Sequence, residues 1–287
     1  MKKEIAYNTR GHRADIGPIE IYRMVSNNYA DQIGHFVFLD YIPPFMLSER
    51  RVNPAAAHPH RGIATLTYIL HGEAEHFDSR GHRGTVRSGG VQWMKAGNGI
   101  IHNEAIAPDT ITGGKLMHGF QFWMNLPAKI KTENPEYLAL QADQLPLIQL
   151  SHNAGSIKVV VGEYEGQKSS IPTYSKQFLF HIRLKGKNQF TLPTEKDVEY
   201  ALFLPQHDLT INSKDFHSGD LIGFKNEAGN IEILNSKEAE ADIIFFGGEK
   251  YTEPFVAQGP FVMSTQQEIY QAISDYQNGK YGEITYN

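Results

Sequence analysis

Two short groups carry the residues best able to do chemistry: His58-Pro59-His60 and His102-Asn103-Glu104. On a β-strand, residues i and i+2 point to one face, so each group can aim two donor side chains at a common point. If both strands lie in one barrel the four side chains meet, and a carboxylate buried among imidazoles is costly unless a cation compensates it. Three neutral imidazoles and one carboxylate would suit Fe(II), Mn(II), Ni(II), Co(II) or Cu(II), leaving two octahedral positions open to substrate, water or dioxygen. A structural zinc would instead close a tetrahedron, so zinc is the poorer fit. Spacing alone leaves a second reading open, in which these are strand histidines satisfied by backbone partners. With 13 histidines in 287 residues, roughly half an H-x-H pair arises by chance, so the pair does not decide between the two.

The elements that would position these groups are strands. Segments rich in β-branched and aromatic residues recur between Gly, Pro, Asn and Asp punctuation: IEIYRMV, HFVFLDYI, ATLTYIL, VQWMKA and FQFWMNL in the first half. IKVVVGEY, FLFHIRL, EYALFLP, LTINS, DLIGFK, IEILNS and ADIIFFGG repeat that rhythm in the second half. This predicts an all-β protein of two tandem β-barrels, residues 1–140 and 141–287. The stretch PAKIKTENPEYLALQADQLPLIQL between them shows little alternation and reads as a linker with one short helical turn. Ser88-Gly89-Gly90 before VQW echoes Ser218-Gly219-Asp220 before LIGF, each a tight turn opening an aromatic strand. One helix is expected over about 264–279. Ser264 or Thr265 caps it, Gln267 or Glu268 stands in capping-box spacing, and Gly279 ends it. Ile269, Ile273 and Tyr276 would form its buried stripe, a purely structural role.

Composition narrows the function. A net charge of −5 gives no general attraction for a phosphate backbone, so direct nucleic-acid binding is disfavoured. The absence of cysteine removes disulfides, thiolate ligands and a Cys nucleophile, leaving His and carboxylate as the strong ligands. The N-terminus turns polar after two lysines, and no run of ~18 apolar residues follows. These features predict a cytoplasmic protein with no membrane partner, and two barrels in one chain make a monomer reasonable.

The stretch AHPHRGIATLTYILHGEAEHFDSRGHRGTVRSGGVQWMKAGNGIIHNEAI resembles the signature of the pirin family, part of the cupin superfamily. The resemblance continues through MHGFQFWMNLPAKIKTENPEYLAL and returns in QGPFVMSTQQEIYQAISDY; between about 150 and 250 it is loose. It implies two jelly-roll cupin barrels with a C-terminal helix, and a single metal, usually iron, on His58, His60, His102 and Glu104. It also implies oxygen-dependent cleavage of a small aromatic substrate. Some pirins are described as quercetin 2,3-dioxygenases, which open a flavonol with loss of carbon monoxide; Glu104 would then be both ligand and base. Other pirins are described as non-enzymatic metal-dependent regulators that bind a transcription factor or metabolic enzyme, which makes a protein partner the alternative. The chain departs from the family at one place. Pirins usually carry a Glu four residues after the second histidine of H-P-H; here Ala64 and Thr65 stand there, so an acid that could tune or hold a proton is missing.

Other candidates read as structural. Glu73, Glu75, His76 and Asp78 crowd one stretch after Gly72 and are expected on a solvated turn and strand. His118 is expected in the core or beside the metal rather than on it, and Trp93 and Met94 on a buried strand. Arg80, His82, Arg83 and Arg87 read as a solvated hairpin. His181, His207 and His217 occur singly, so no second metal centre is expected.

Overall fold

The computed structural model describes residues 1–17, 19–25 and 32–286. The chain forms two compact units. The unit that carries the H-P-H group, here the histidine unit, comprises Ile16–Ile21, Phe38–Gln144 and Thr252–Asn287; the companion unit comprises Met1–Asp15, Tyr22–Val37 and Leu145–Tyr251. The chain enters the long companion segment at Leu145, close to the expected cut at 140, but the termini exchange: the N-terminal strand belongs to the companion and the C-terminal helix to the histidine unit.

Within the histidine unit a smaller sheet runs His58–His60, Ile100–Ala107, Glu73–Asp78, Arg83–Arg87. A larger sheet carries, side by side, Glu136–Leu140, Val91–Lys95, Ile63–His71, Leu116–Asn125 and Phe36–Met46. The strand Glu136–Leu140 lies inside the stretch expected to be a linker, pairing antiparallel with Val91–Lys95 so that Tyr137 stands opposite Met94. Three of its five residues are half-buried in succession, so no period-two pattern marks it in the sequence. Ile69, Ala74, Val86 and Met117, drawn from both sheets, close one end of the interior. Ile63, Met94, Ala96, Ile100 and Val262 form a second apolar layer.

The companion unit repeats the plan. Its larger sheet runs Ile5–Thr9, Leu221–Phe224, Val198–Phe203, Ala241–Glu249, Gln177–Leu184, Gly155–Val161, Leu147–Gln149, and its smaller one Asn188–Thr194, Gly229–Asn235, Leu209–Ile211, Lys214–Phe216. The two glycine turns noted in the sequence are equivalent in their hydrogen bonds. Gly89 N donates to Ile69 O and Ile69 N to Gly90 O; Gly219 N donates to Leu204 O and Leu204 N to Asp220 O. The left-handed φ of +80° at Gly89 and +87° at Gly219 explains the glycine in each.

The helix spans Gln266–Gln277 with Thr265 and Glu268 in a complete capping box, and Gly279 follows at φ +71°. Ile269 and Ala272 are its buried apolar positions, while Tyr276 is 39% exposed and leaves the expected stripe. Buried Asp275 takes its place, paired with Arg61 at 2.7 Å and Lys280 at 2.7 Å. Among the described residues no helix is long and apolar enough to cross a membrane.

Candidate metal centre

Antiparallel pairing sets His102 opposite His58 and Ile100 opposite His60. Because side chains alternate, all three histidines project from one face of the smaller sheet. Their ring centroids are 4.4 Å (His58–His102), 4.9 Å (His58–His60) and 5.0 Å (His60–His102) apart. One ring nitrogen from each lies within 4.8 Å of the others.

The hydrogen bonds define which nitrogens are bare. His58 Nδ1 meets Ala56 O at 2.9 Å, and His60 Nδ1 meets Pro260 O at 3.1 Å. A carbonyl only accepts, so both Nδ1 atoms carry a proton and each ring turns its Nε2 toward the cluster. His60 Nε2 and His102 Nδ1 are buried without a hydrogen-bond partner, and His102 Nε2 stands 3.0 Å from His58 Nε2. Burial, then the neighbouring His58, push His60 down to about 3. His102 is pushed well below its ordinary value by burial and by His58, His60 and His76. Three clustered imidazoles, His60 with a buried unpartnered Nε2, fit a divalent transition metal, whose ligand histidines characteristically donate the other N–H to a carbonyl.

The supports come from far along the chain. Pro260 is held by the strand Phe261–Met263, whose Val262 N donates to Arg61 O at 3.1 Å. Gly62, at φ +80°, lets that strand approach: a Cβ there would stand 2.0 Å from Val262 O. The buried Lys131 ammonium donates to Gly62 O and Val262 O, each at 2.8 Å, and to Asn125 Oδ1. Burial pushes that lysine down to about 7.

Glu104 follows His102 on the same face but lies outside the histidine group. Its carboxylate accepts from Thr67 Oγ1 at 2.8 Å, Gln121 Nε2 at 2.8 Å and Gln92 Nε2. These donors form one row across three strands of the larger sheet, Gln92 opposite Thr67 and Thr67 opposite Gln121. The next row is Met94, Thr65 and Trp123, and the Trp123 ring lies 4.9 Å from that of His60. Ala64 and Thr65 are buried, and no acid stands in the first motif. Sequence reasoning missed the Gln92, Thr67 and Gln121 row. A polar residue recurring inside otherwise apolar strands was its only signal.

The reading of 73–78 as solvated is corrected. Glu73, His76 and Asp78 are 5%, 1% and 3% exposed. His76 stands opposite Glu104 and Asp78 opposite His102, so this pair shares the histidine face. Asp78 Oδ2 accepts from His76 Nε2 at 3.0 Å and from His82 Nδ1 at 2.8 Å. Burial alone would raise the Asp78 carboxyl, but its hydrogen bonds to His76 and His82 outweigh that and hold it below its usual range. Tyr137 stacks on His76 at 4.2 Å and 10°, and burial, with Glu104 and Asp78 adding, pushes its hydroxyl up. The basic cluster is otherwise taken up locally: Arg80 by Gly99 O, Arg83 by Glu75, Arg87 by Glu73. His118 is fully buried with its Nε2 3.2 Å from the Tyr41 hydroxyl, apart from the three ligand candidates. Trp93 and Met94 are buried as expected.

Comparison with known proteins agrees with this architecture. Residues 19–124 match the family model described as Pirin, and 179–282 match that of the Pirin C-terminal cupin domain. A pirin-like protein of Solanum lycopersicum is 34% identical over 85% of this chain and 84% of its own length, and Homo sapiens pirin 30% over 85% and 84%. A solved quercetin 2,3-dioxygenase from Acinetobacter baumannii superposes with a TM-score of 0.90 at 28% identity, covering 99% of this chain and 100% of that one. A bacterial pirin from Escherichia coli, solved in complex with nickel(II), shares the fold at 20% identity and a TM-score of 0.63, over 85% of this chain and 99% of that one. With relatives of this identity spanning most of its length, the chain belongs to the pirin family of cupin proteins.

Proposed function

We propose that this pirin is a mononuclear metal-dependent dioxygenase that cleaves small aromatic substrates of the flavonol type, such as quercetin, with Fe(II) as its working metal. His58, His60 and His102 would hold the ion, and Glu104 would complete the ligand set and serve as base. The observation that carries this reading is the buried, unpartnered Nε2 of His60 beside the facing Nε2 atoms of His58 and His102. Relatives named for quercetin dioxygenase chemistry support the substrate class.

A bound transition metal supplies Lewis-acid polarisation of a substrate oxygen and an electron route to dioxygen. The chain supplies the rest. Glu104 takes the proton of the substrate hydroxyl while Thr67, Gln92 and Gln121 fix the orientation of its carboxylate. Met94, Ile63 and Val262, with Trp123 and Tyr137 packed against them, form a buried apolar cluster beside His60 that would shield an aromatic substrate from water. Dioxygen then adds to the substrate anion; both its oxygen atoms remain in the ring-opened acid and carbon monoxide leaves. With Ala64 where the family usually has an acid, the proton transfer falls to Glu104.

The test is elemental analysis of the purified protein followed by aerobic quercetin turnover for wild type, His58→Ala and Glu104→Gln. The proposal expects metal in wild type, loss of metal and turnover in His58→Ala, and loss of turnover in Glu104→Gln. Metal without turnover in any metal form removes the enzyme and leaves a metal-dependent binding protein. Undiminished turnover in Glu104→Gln removes the base.

A further inference from the structure

The edge strand Glu136–Leu140 carries a hydroxyl into the polar row beside the histidines. Ala139 pairs opposite Gln92 and Tyr137 opposite Met94. Tyr137 therefore shares the sheet face of Gln92, one diagonal step away and within reach of an aromatic side chain. Its hydroxyl donates to Gln92 Oε1 at 3.2 Å. Its ring stacks on His76, which the smaller sheet sets opposite Glu104. The slot for that hydroxyl is kept open by Gly84, the strand partner of His76. A Cβ at Gly84 would stand 2.5 Å from the Tyr137 oxygen. Gly84 has no left-handed φ that would itself require glycine, so the space is what the residue provides.

The direction of each hydrogen bond follows from the carboxylate. A carboxylate only accepts, so the end of the Gln92 amide that meets Glu104 Oε1 is Nε2. The amide oxygen then faces the other way and needs a donor, which is the Tyr137 hydroxyl. Removing that donor leaves the amide oxygen unpaired, and a turned amide would set oxygen against oxygen. The same bonds distinguish the two oxygens of Glu104. Oε1 accepts from Thr67 and Gln92, which fills both its lone pairs. Among the described residues Oε2 accepts from Gln121 alone, so it keeps one lone pair for an ion or a substrate proton.

We infer that Tyr137 is a positioning residue: its hydroxyl locks the Gln92 amide, which occupies Glu104 Oε1 and leaves Oε2 as the working oxygen. The functional part rests on the reading of Glu104 as ligand and base; the geometric part stands in metal-free protein. Tyr137→Phe keeps the ring over His76 and removes only the hydroxyl. Gly84→Ala, which displaces the hydroxyl from the other side, is the second variant. In metal-free protein with isotope-labelled glutamine, NMR should show the Gln92 side-chain amide protons exchanging about fivefold faster in both variants, as for loss of one hydrogen bond. With metal present, Tyr137→Phe should lower kcat for quercetin about tenfold, with KM and metal content unchanged. Added to Gln92→Leu, the same substitution should lower kcat by less than about twofold more, because its path is already cut. Unchanged amide exchange in both variants overturns the inference, whatever the turnover. Additive losses of kcat, or loss of metal from Tyr137→Phe, overturn it as well. If wild type binds metal and turns over no quercetin, the enzyme reading falls and amide exchange alone decides the role of Tyr137.

Discussion

The two barrels differ most at a single row of side chains. The equivalent glycine turns align Thr67 of the histidine unit with Leu202 of the companion, two residues before Ile69 and Leu204. Cross-strand partners then correspond in turn: Gln92, Thr67 and Gln121 in one barrel, Ile222, Leu202 and Phe245 in the other. The first row aims three donors at a carboxylate. The second lies wholly within the companion's apolar core, beside Phe178, Phe180 and Tyr200. The backbone plan is the same, so chemistry here is a choice of inward side chains on a shared scaffold. A filled interior gives stability and no site. A polar interior gives a site and must satisfy each buried group it contains.

That contrast can be broken most sharply at the ligands. His60→Ala should abolish stoichiometric metal binding, measured by elemental analysis, while leaving the companion barrel folded by circular dichroism. In the companion, Phe245→Ala should cost about 3–5 kcal/mol of unfolding free energy, measured in denaturant, without changing metal content. Loss of metal from that variant would show the two interiors are not independent in function. A row swap sharpens the comparison further. Thr67→Val and Gln92→Leu should each reduce quercetin turnover roughly 10- to 100-fold with metal retained, as expected for groups that orient a reactive side chain. An unchanged rate would make the row mere packing. The smallest effect is a pH slope in metal-free protein. His60 is lowered from 6.5 to about 3, so between those values the unfolded chain binds the extra proton. Stability is therefore full above about pH 6.5, declines as pH falls through the window, and levels off below about 3. Urea midpoints across pH 3–7 should show that decline, and His60→Gln should flatten it.

Much of this was legible in residue order. Strand rhythm gave the two barrels, and the H-P-H and H-x-E spacing placed His58, His60, His102 and Glu104 on one sheet face. Thr265 and Glu268 gave the helix start. What stayed hidden depends on contacts between distant segments. His76 and Asp78 looked like a polar turn because nothing local shows that the larger sheet covers them, with Tyr137 stacked on His76. Nor does local sequence reveal that Pro260, 200 positions away, holds His60, or that Asp275 is buried by an ion pair with Arg61. Glu104 was legible as a candidate, but its three side-chain donors were not, since each belongs to a different strand.

If the three facing imidazoles form a metal site, anomalous X-ray scattering from crystals of the purified protein shows one first-row transition-metal peak about 2.0–2.2 Å from a nitrogen of each of His58, His60 and His102. A peak elsewhere, or none after incubation with Fe(II) or Ni(II), would contradict it.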